Sequence, residues 1–291
     1  MSFISRRPAF LRNTGRAGNT PLTDEQIMAV APSAFAVDKH ESRSERYAYI
    51  PTAEVIAGLR ANGFVPMSAK QGSSRIPGKA EFTKHLIRFR HAGQAAGPRK
   101  VGDTYPEIVL VNSHDGTSAY KVMAGLFRWR CLNGLVVADR DLASVTIPHK
   151  GNVTELVIEG SYTVLDESRK ALETADAWSG ATLSRDEQMA MAEAAHDLRF
   201  ADDDGQTRTP IRPEQLLAPR RHEDTGRDLW TTTNVIQEHV IRGGLTAMGR
   251  DAHDRPRRVT SRPIQGIDQD VKLNRALWLL SERMAQIKAA A

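Results

Sequence analysis

Apolar residues recur along this chain in distinct rhythms, and each rhythm predicts a different element. Over residues 52–61, Val55, Ile56 and Leu59 fall on one helical face, and Asn62-Gly63 stops the run. Over 81–91 the rhythm becomes alternation. Ile87 and Phe89 take one side of a strand and Lys84, Arg88 and Arg90 the other. Ile108-Val-Leu-Val111 has the continuous apolar character of a buried strand and ends in a Ser113-His-Asp-Gly116 turn. Residues 119–131 read as extended, although their length leaves a helix open. Met123, Phe127, Trp129 and Cys131 then share one parity, while Tyr120, Val122, Leu126, Arg128 and Arg130 share the other. Leu132-Asn-Gly134 supplies a tight turn, and Leu135-Val-Val137 and Val145-Thr-Ile147 continue the sheet.

From Asn152 the period turns helical and continues, with breaks, to His196. Residues 202–213 read as a loop, and 229–241 as a helix closed by Gly243-Gly244. The last helix, 271–289, spaces Leu273, Leu277, Leu280, Met284 and Ile287 by four, three, four and three residues. The expected fold is α+β: a central antiparallel meander with packed helices, followed by a helical C-terminal half. Its expected divisions are a flexible basic arm (1–40), a β-rich α+β core (41–150), a helical region (151–248), a basic linker (249–266) and a C-terminal helix (267–291). Within the arm only Thr23-Asp-Glu-Gln-Ile-Met-Ala-Val30 hints at order, with Thr23 as N-cap and Gln26 at the capping-box position.

Composition narrows this picture without settling it. The 291 residues hold no apolar run of about 18, so no membrane partner is expected, and no secretory leader is visible. Cytoplasmic residence is the default expectation. Cys131, the single cysteine, excludes an internal disulfide and a thiolate-rich metal site. The net charge is only +5, from 40 Lys+Arg against 35 Asp+Glu, but it is segregated. Residues 1–23 carry four arginines and no acid, 166–204 carry eleven acids against four bases, and 242–262 carry six arginines against two aspartates. Segregation of that kind suits a polyanionic partner.

Lys84, Arg88 and Arg90, with Arg128 and Arg130 on a neighbouring strand and Lys70, Arg75 and Lys79 in the preceding loop, would line a groove for phosphates. Tyr47, Tyr49 and Tyr120 would offer stacking surfaces for bases. A solvated sheet face explains the same basic row equally well. His114-Asp115 has the types of a general base or metal pair, yet Asp-Gly is also ordinary turn chemistry. Glu81, Glu107 and Asp115 are the carboxylates a two-metal nuclease would need to converge. No zinc spacing, calcium loop or phosphate-cradling glycine loop is present, so no metal and no cofactor is expected.

Four stretches carry a resemblance: Arg46-Tyr-Ala-Tyr-Ile-Pro-Thr52, Lys84-His-Leu-Ile-Arg-Phe-Arg90, Asn112-Ser-His-Asp-Gly-Thr-Ser-Ala-Tyr120 with Cys131-Leu-Asn-Gly134, and Arg227-Asp-Leu-Trp-Thr-Thr-Thr-Asn-Val-Ile-Gln237 with Leu273-Asn-Arg-Ala-Leu-Trp278. Together they look like a family of phages and plasmids known as domain of unknown function 932. That resemblance implies a mobile-element protein and assigns no catalytic residue. The β-rich middle followed by helices is also similar to Rad52-like and RecT-like annealing proteins, at the level of architecture. The expected function is non-enzymatic DNA binding, single strands favoured, in recombination or replication, with a possible homo-oligomer through the C-terminal helix. A metal-dependent nuclease and an interaction protein that blocks a host defence are the alternatives.

Overall fold

The computed structural model describes residues 20–38, 51–74, 76, 78–94, 104–128, 133–136, 144–148 and 152–290. The chain is α+β, as its rhythms imply, and divides into two compact units. The first comprises 1–98, 107–124 and 144–166, and the second 99–106, 125–143 and 167–291.

In the first unit, α1 (Asp24–Val30) and a 3-10 turn (Pro32–Phe35) precede α2 (Thr52–Ala61). The strands are β1 (Phe64–Gln71), β2 (His85–His91), β3 (Thr104–Asn112) and β4 (Tyr120–Arg128), adjacent in that order. β2 is antiparallel to both β1 and β3, and β6 (Ser144–Ile147) pairs antiparallel with the first half of β4. The second half of β4 belongs to the other unit and pairs with β5 (Asn133–Val136). Asn133-Gly134 therefore lies inside a strand, facing Arg128 and Phe127, not in the expected turn.

Two local signals were harder to read. β1 contains Pro66, which lacks an N–H for the ladder. The strand tolerates it because β1 is the sheet edge and its register shifts between Pro66 and Ser68. Residues 20–38, expected to belong to a flexible arm, are packed into this unit instead. Ile27, Ala31 and Ala34 are fully buried, Leu22 N donates to Pro66 O, and Ser33 N donates to Gln71 Oε1. The Thr23–Gln26 capping box forms as expected.

α3 (Val153–Ser179) contributes its first half to this unit. Gly58 of α2 lets it approach closely, because a Cβ there would lie 3.0 Å from the Thr154 methyl. Tyr162 donates to Asn62 O and meets the Phe64 ring edge-on.

The second unit holds the rest of α3, α4 (Arg185–Phe200), α5 (Leu229–Arg242), a β7–β8 hairpin (Thr246–Arg250, Pro256–Thr260) and α6 (Ile267–Ala290). Trp178 packs on Trp230 and Trp278, with ring centroids 6.2 and 4.6 Å away. α5 is buried from Leu229 to Val240 and still carries polar groups. They find partners inside: Thr233 with Ser281, Gln237 with Asn274, and Thr232 with Gln188. The expected oligomer stripe of α6 is largely occupied within the unit, where Leu273, Leu277 and Met284 are buried. Only Ile287, 49% exposed, stands out from it.

Residues 249–263, expected to be a mobile linker, contain most of the hairpin. Its inward positions, Ala247, Gly249 and Val259, are few, so arginines dominate the composition and mask the alternation. The turn is built by two aspartates. Asp251 accepts from His253 N and Arg255 N, and Asp254 adopts φ 61°, a left-handed conformation that its side chain tolerates.

Candidate nucleic-acid interface

The expected parity of β2 holds, with Ile87 and Phe89 on one face and Lys84, Arg88 and Arg90 on the other. That basic face is nevertheless not a solvent-facing row. Arg88 Nε lies 2.8 Å from Glu107 Oε2 and Arg90 Nη2 lies 2.7 Å from Glu107 Oε1. Glu107 sits on β3, one position beyond the Phe89–Ile108 pair, and so reaches both guanidinium groups. Arg90 and Glu107 are each 1% exposed. Arg128, on the part of β4 that belongs to the second unit, pairs with buried Asp224 at 2.6 Å. Lys79 lies 3.4 Å from Asp115. Lys70 and Lys84 are half-buried. Tyr120 is fully buried and cannot stack on a base without unfolding its surroundings. Tyr47, Tyr49, Arg75 and Arg130 lie outside the described residues. The placed arginines of the expected trough are thus tied to carboxylates, and this corrects their assignment as exposed phosphate contacts.

What the first unit builds around those strands is a buried polar cluster. Thr52, at the start of α2, points its hydroxyl at four groups: Asn112 Nδ2 and His85 Nε2 at 3.0 Å, His114 Nε2 at 3.1 Å and the Tyr120 hydroxyl at 3.2 Å. A hydroxyl has one proton and two lone pairs, so these four contacts compete for three bonds. His85 Nδ1 is 3.0 Å from the Ser33 hydroxyl. Burial and the neighbouring His114 push the His85 pKa down to about 3, despite its bond to the Thr83 backbone. At neutral pH His85 is uncharged.

Asp115 sits beside this cluster in the Ser113–Gly116 turn. Burial alone would raise its carboxyl, but bonds from Thr117, Ser113 and Lys79 outweigh that and hold it below the usual carboxylate range. It is an ionised turn residue bonded to Thr117 N and Oγ1. Among the described residues no three His, Cys, Asp or Glu side chains are grouped to hold a metal ion. Glu107 and Asp115, two of the three carboxylates considered for metal chemistry, face cations of the protein itself.

Exposed bases occur on several other elements, and the β7–β8 hairpin groups a set of them. On β7–β8, Arg250, Arg255, Arg257 and Arg258 are all exposed, with Arg262 just beyond. Arg255, Arg257 and Arg258 have no carboxylate partner among the described residues, and Arg250 pairs only with exposed Asp254 at 2.8 Å. The sequence expects Arg250, Arg255, Arg257, Arg258 and Arg262 on a linker, and the structure places the first four on a hairpin. The signal available was Met248 to Arg250 and Pro256 to Arg258, alternating across an Asp-rich turn.

The family model described as a domain of unknown function, DUF932, matches residues 39–278. Two proteins of Escherichia coli (strain K12) are similar over 264 residues, or 91% of this chain and 92% of each relative: UPF0380 protein YafZ at 47% identity and UPF0380 protein YfjQ at 46%. No solved structure matches the chain. This chain belongs to the DUF932 family.

Proposed function

With membership of that family as premise, we propose that this protein binds nucleic acid without catalysing a covalent step on it, serving DNA recombination or replication on a mobile element. The observation that supports this reading is the set of exposed arginines on the β7–β8 hairpin, of which Arg255, Arg257 and Arg258 have no carboxylate partner among the described residues. Phosphate contacts by such side chains release counterions and need no cofactor. The strand face first considered contributes scaffold, since its arginines neutralise Glu107 and Asp224. A nuclease reading has no comparable support, because Glu107 and Asp115 are engaged by bases.

Fluorescence polarisation with labelled single- and double-stranded oligonucleotides tests the proposal. At ~50 mM salt the protein binds, and log affinity falls linearly with log salt, by about 0.9 per phosphate neutralised on duplex. Replacing Arg255, Arg257 and Arg258 together by Ala lowers affinity and salt slope. A folded wild-type protein with no affinity for either oligonucleotide at that salt overturns the reading.

A further inference from the structure

The β7–β8 hairpin has a second property that charge alone does not explain. In its antiparallel register Met248 faces Arg258 and Arg250 faces Pro256. Alternate residues of a strand share a face, so these four side chains form one outward surface. On it the two arginines lie on one diagonal and the two apolar residues on the other. All four are exposed, Met248 to 65%. The opposite face is anchored: a Cβ at Gly249 would lie 3.1 Å from Pro210 and 3.3 Å from Val259, and Gln215 Nε2 donates to Thr246 O.

We propose that this ribbon is a duplex-DNA site that enters the minor groove, with Arg250 and Arg258 on the phosphates and groove floor and Met248 as an apolar wedge between base steps. The proposal rests on the nucleic-acid reading above and names its substrate as double-stranded DNA. Three observations favour duplex over single strand. The outward face offers no aromatic ring, the surface on which unpaired bases stack. Tyr120, a candidate stacking residue, is buried in the first unit. A large apolar side chain exposed among arginines matches the chemistry by which minor-groove proteins part base steps with Met, Leu or Pro and hold the bent duplex by charge. The face also lacks Asn and Gln, the side chains that pair bidentately with adenine in the major groove. Asp254 is no obstacle, since its pair with Arg250 is solvent-exposed and exchanges readily for a phosphate contact.

The test uses the full chain and end-labelled duplexes with A·T-rich or G·C-rich centres, beside the same sequences as single strands. The expected result is duplex affinity about tenfold above single-strand affinity, with competition by the minor-groove ligand netropsin on the A·T-rich duplex. Energy transfer between the duplex ends rises on binding, reporting a bend. M248S keeps affinity within about threefold yet loses the bend, whereas R250A with R258A loses about tenfold or more in affinity. Thermal melts of the variants confirm folding, since all three positions are exposed. Equal or tighter binding of single strands, or duplex binding indifferent to netropsin, overturns the groove assignment while nucleic-acid binding stands. Affinity unchanged in R250A with R258A overturns the hairpin as the site. Absence of any oligonucleotide binding overturns the functional reading beneath it.

Discussion

Arg90 Nη2 donates to Glu107 Oε1 over 2.7 Å, with both side chains 1% exposed, while Arg88 Nε takes the other carboxylate oxygen. Removing a partner from a buried ion pair leaves charge without compensation, which costs about 3–5 kcal/mol. Glu107→Ala is therefore expected to lower the unfolding free energy by an amount of that order, read from urea unfolding, because two guanidinium groups lose their anion. A midpoint within error of wild type would show that the pairing does not contribute. Arg88→Ala with Arg90→Ala should likewise destabilise the protein, so its effect on ligand binding is read only beside its urea unfolding.

Thr52 is the hub of the buried cluster on α2, β2, β3 and β4. Thr52→Val keeps the shape and deletes the hydroxyl, leaving buried His85, His114, Tyr120 and Asn112 to find other partners. Unsatisfied buried polar groups cost about 1–3 kcal/mol, so a clear drop in melting temperature is expected, with Thr52→Ser recovering most of it. Equal melting of all three proteins refutes the hub.

His85 gives the first unit a pH dependence of defined sign. Its native pKa is pushed down to about 3 from the ordinary 6.5, first by burial and then by His114. The unfolded chain therefore takes up a proton before the native state does. The stability that neutral His85 contributes is complete above pH 6.5 and is lost as pH falls from there towards 3. The slope it adds is at most about 1.4 kcal/mol per pH unit. Carboxylates titrate over part of the same range, so the comparison is between wild type and His85→Gln. Urea midpoints measured at stepwise lower pH should fall more steeply for wild type, and identical slopes would reject the assignment.

Gly243 ends α5 at φ 63°, and a Cβ there would lie 2.6 Å from Ser261 O and 2.7 Å from two Arg262 backbone atoms. Gly243→Ala must displace the segment after β8, Ser261-Arg262. A loss of about 2 kcal/mol or more is expected, read by thermal unfolding. Gly244→Ala meets only the Arg220 guanidinium, at 3.6 Å, and should show backbone strain without this clash.

Much of the architecture was legible because single elements carry clear periods. Val55, Ile56 and Leu59 defined α2, alternation defined the faces of β2, and Gly243-Gly244 closed α5 where expected. The candidate site was legible only in part, and for a definable reason. Sequence places Arg88 and Arg90 on one strand face but says nothing of Glu107 arriving from β3, since cross-strand neighbours depend on register. Leu273, Leu277 and Met284 likewise suit a seam between copies as well as the more ordinary packing within one chain, which here is against α5 and α4. The hairpin escaped because its inward face offers only Ala247, Gly249 and Val259 beside Arg257, too little apolar signal to outweigh five arginines from Arg250 to Arg262.

α5 carries a consequence for how the second unit chooses its conformation. Grease tolerates slippage, whereas amide-to-amide and hydroxyl-to-hydroxyl matches such as Gln237 to Asn274 and Thr233 to Ser281 work at one rotation and one axial offset. A helix encased in this way behaves like a keyed shaft. Filling those positions with leucine would keep the unit compact while letting neighbouring helices settle in several alignments, and the Gly243 exit to the hairpin would inherit that ambiguity.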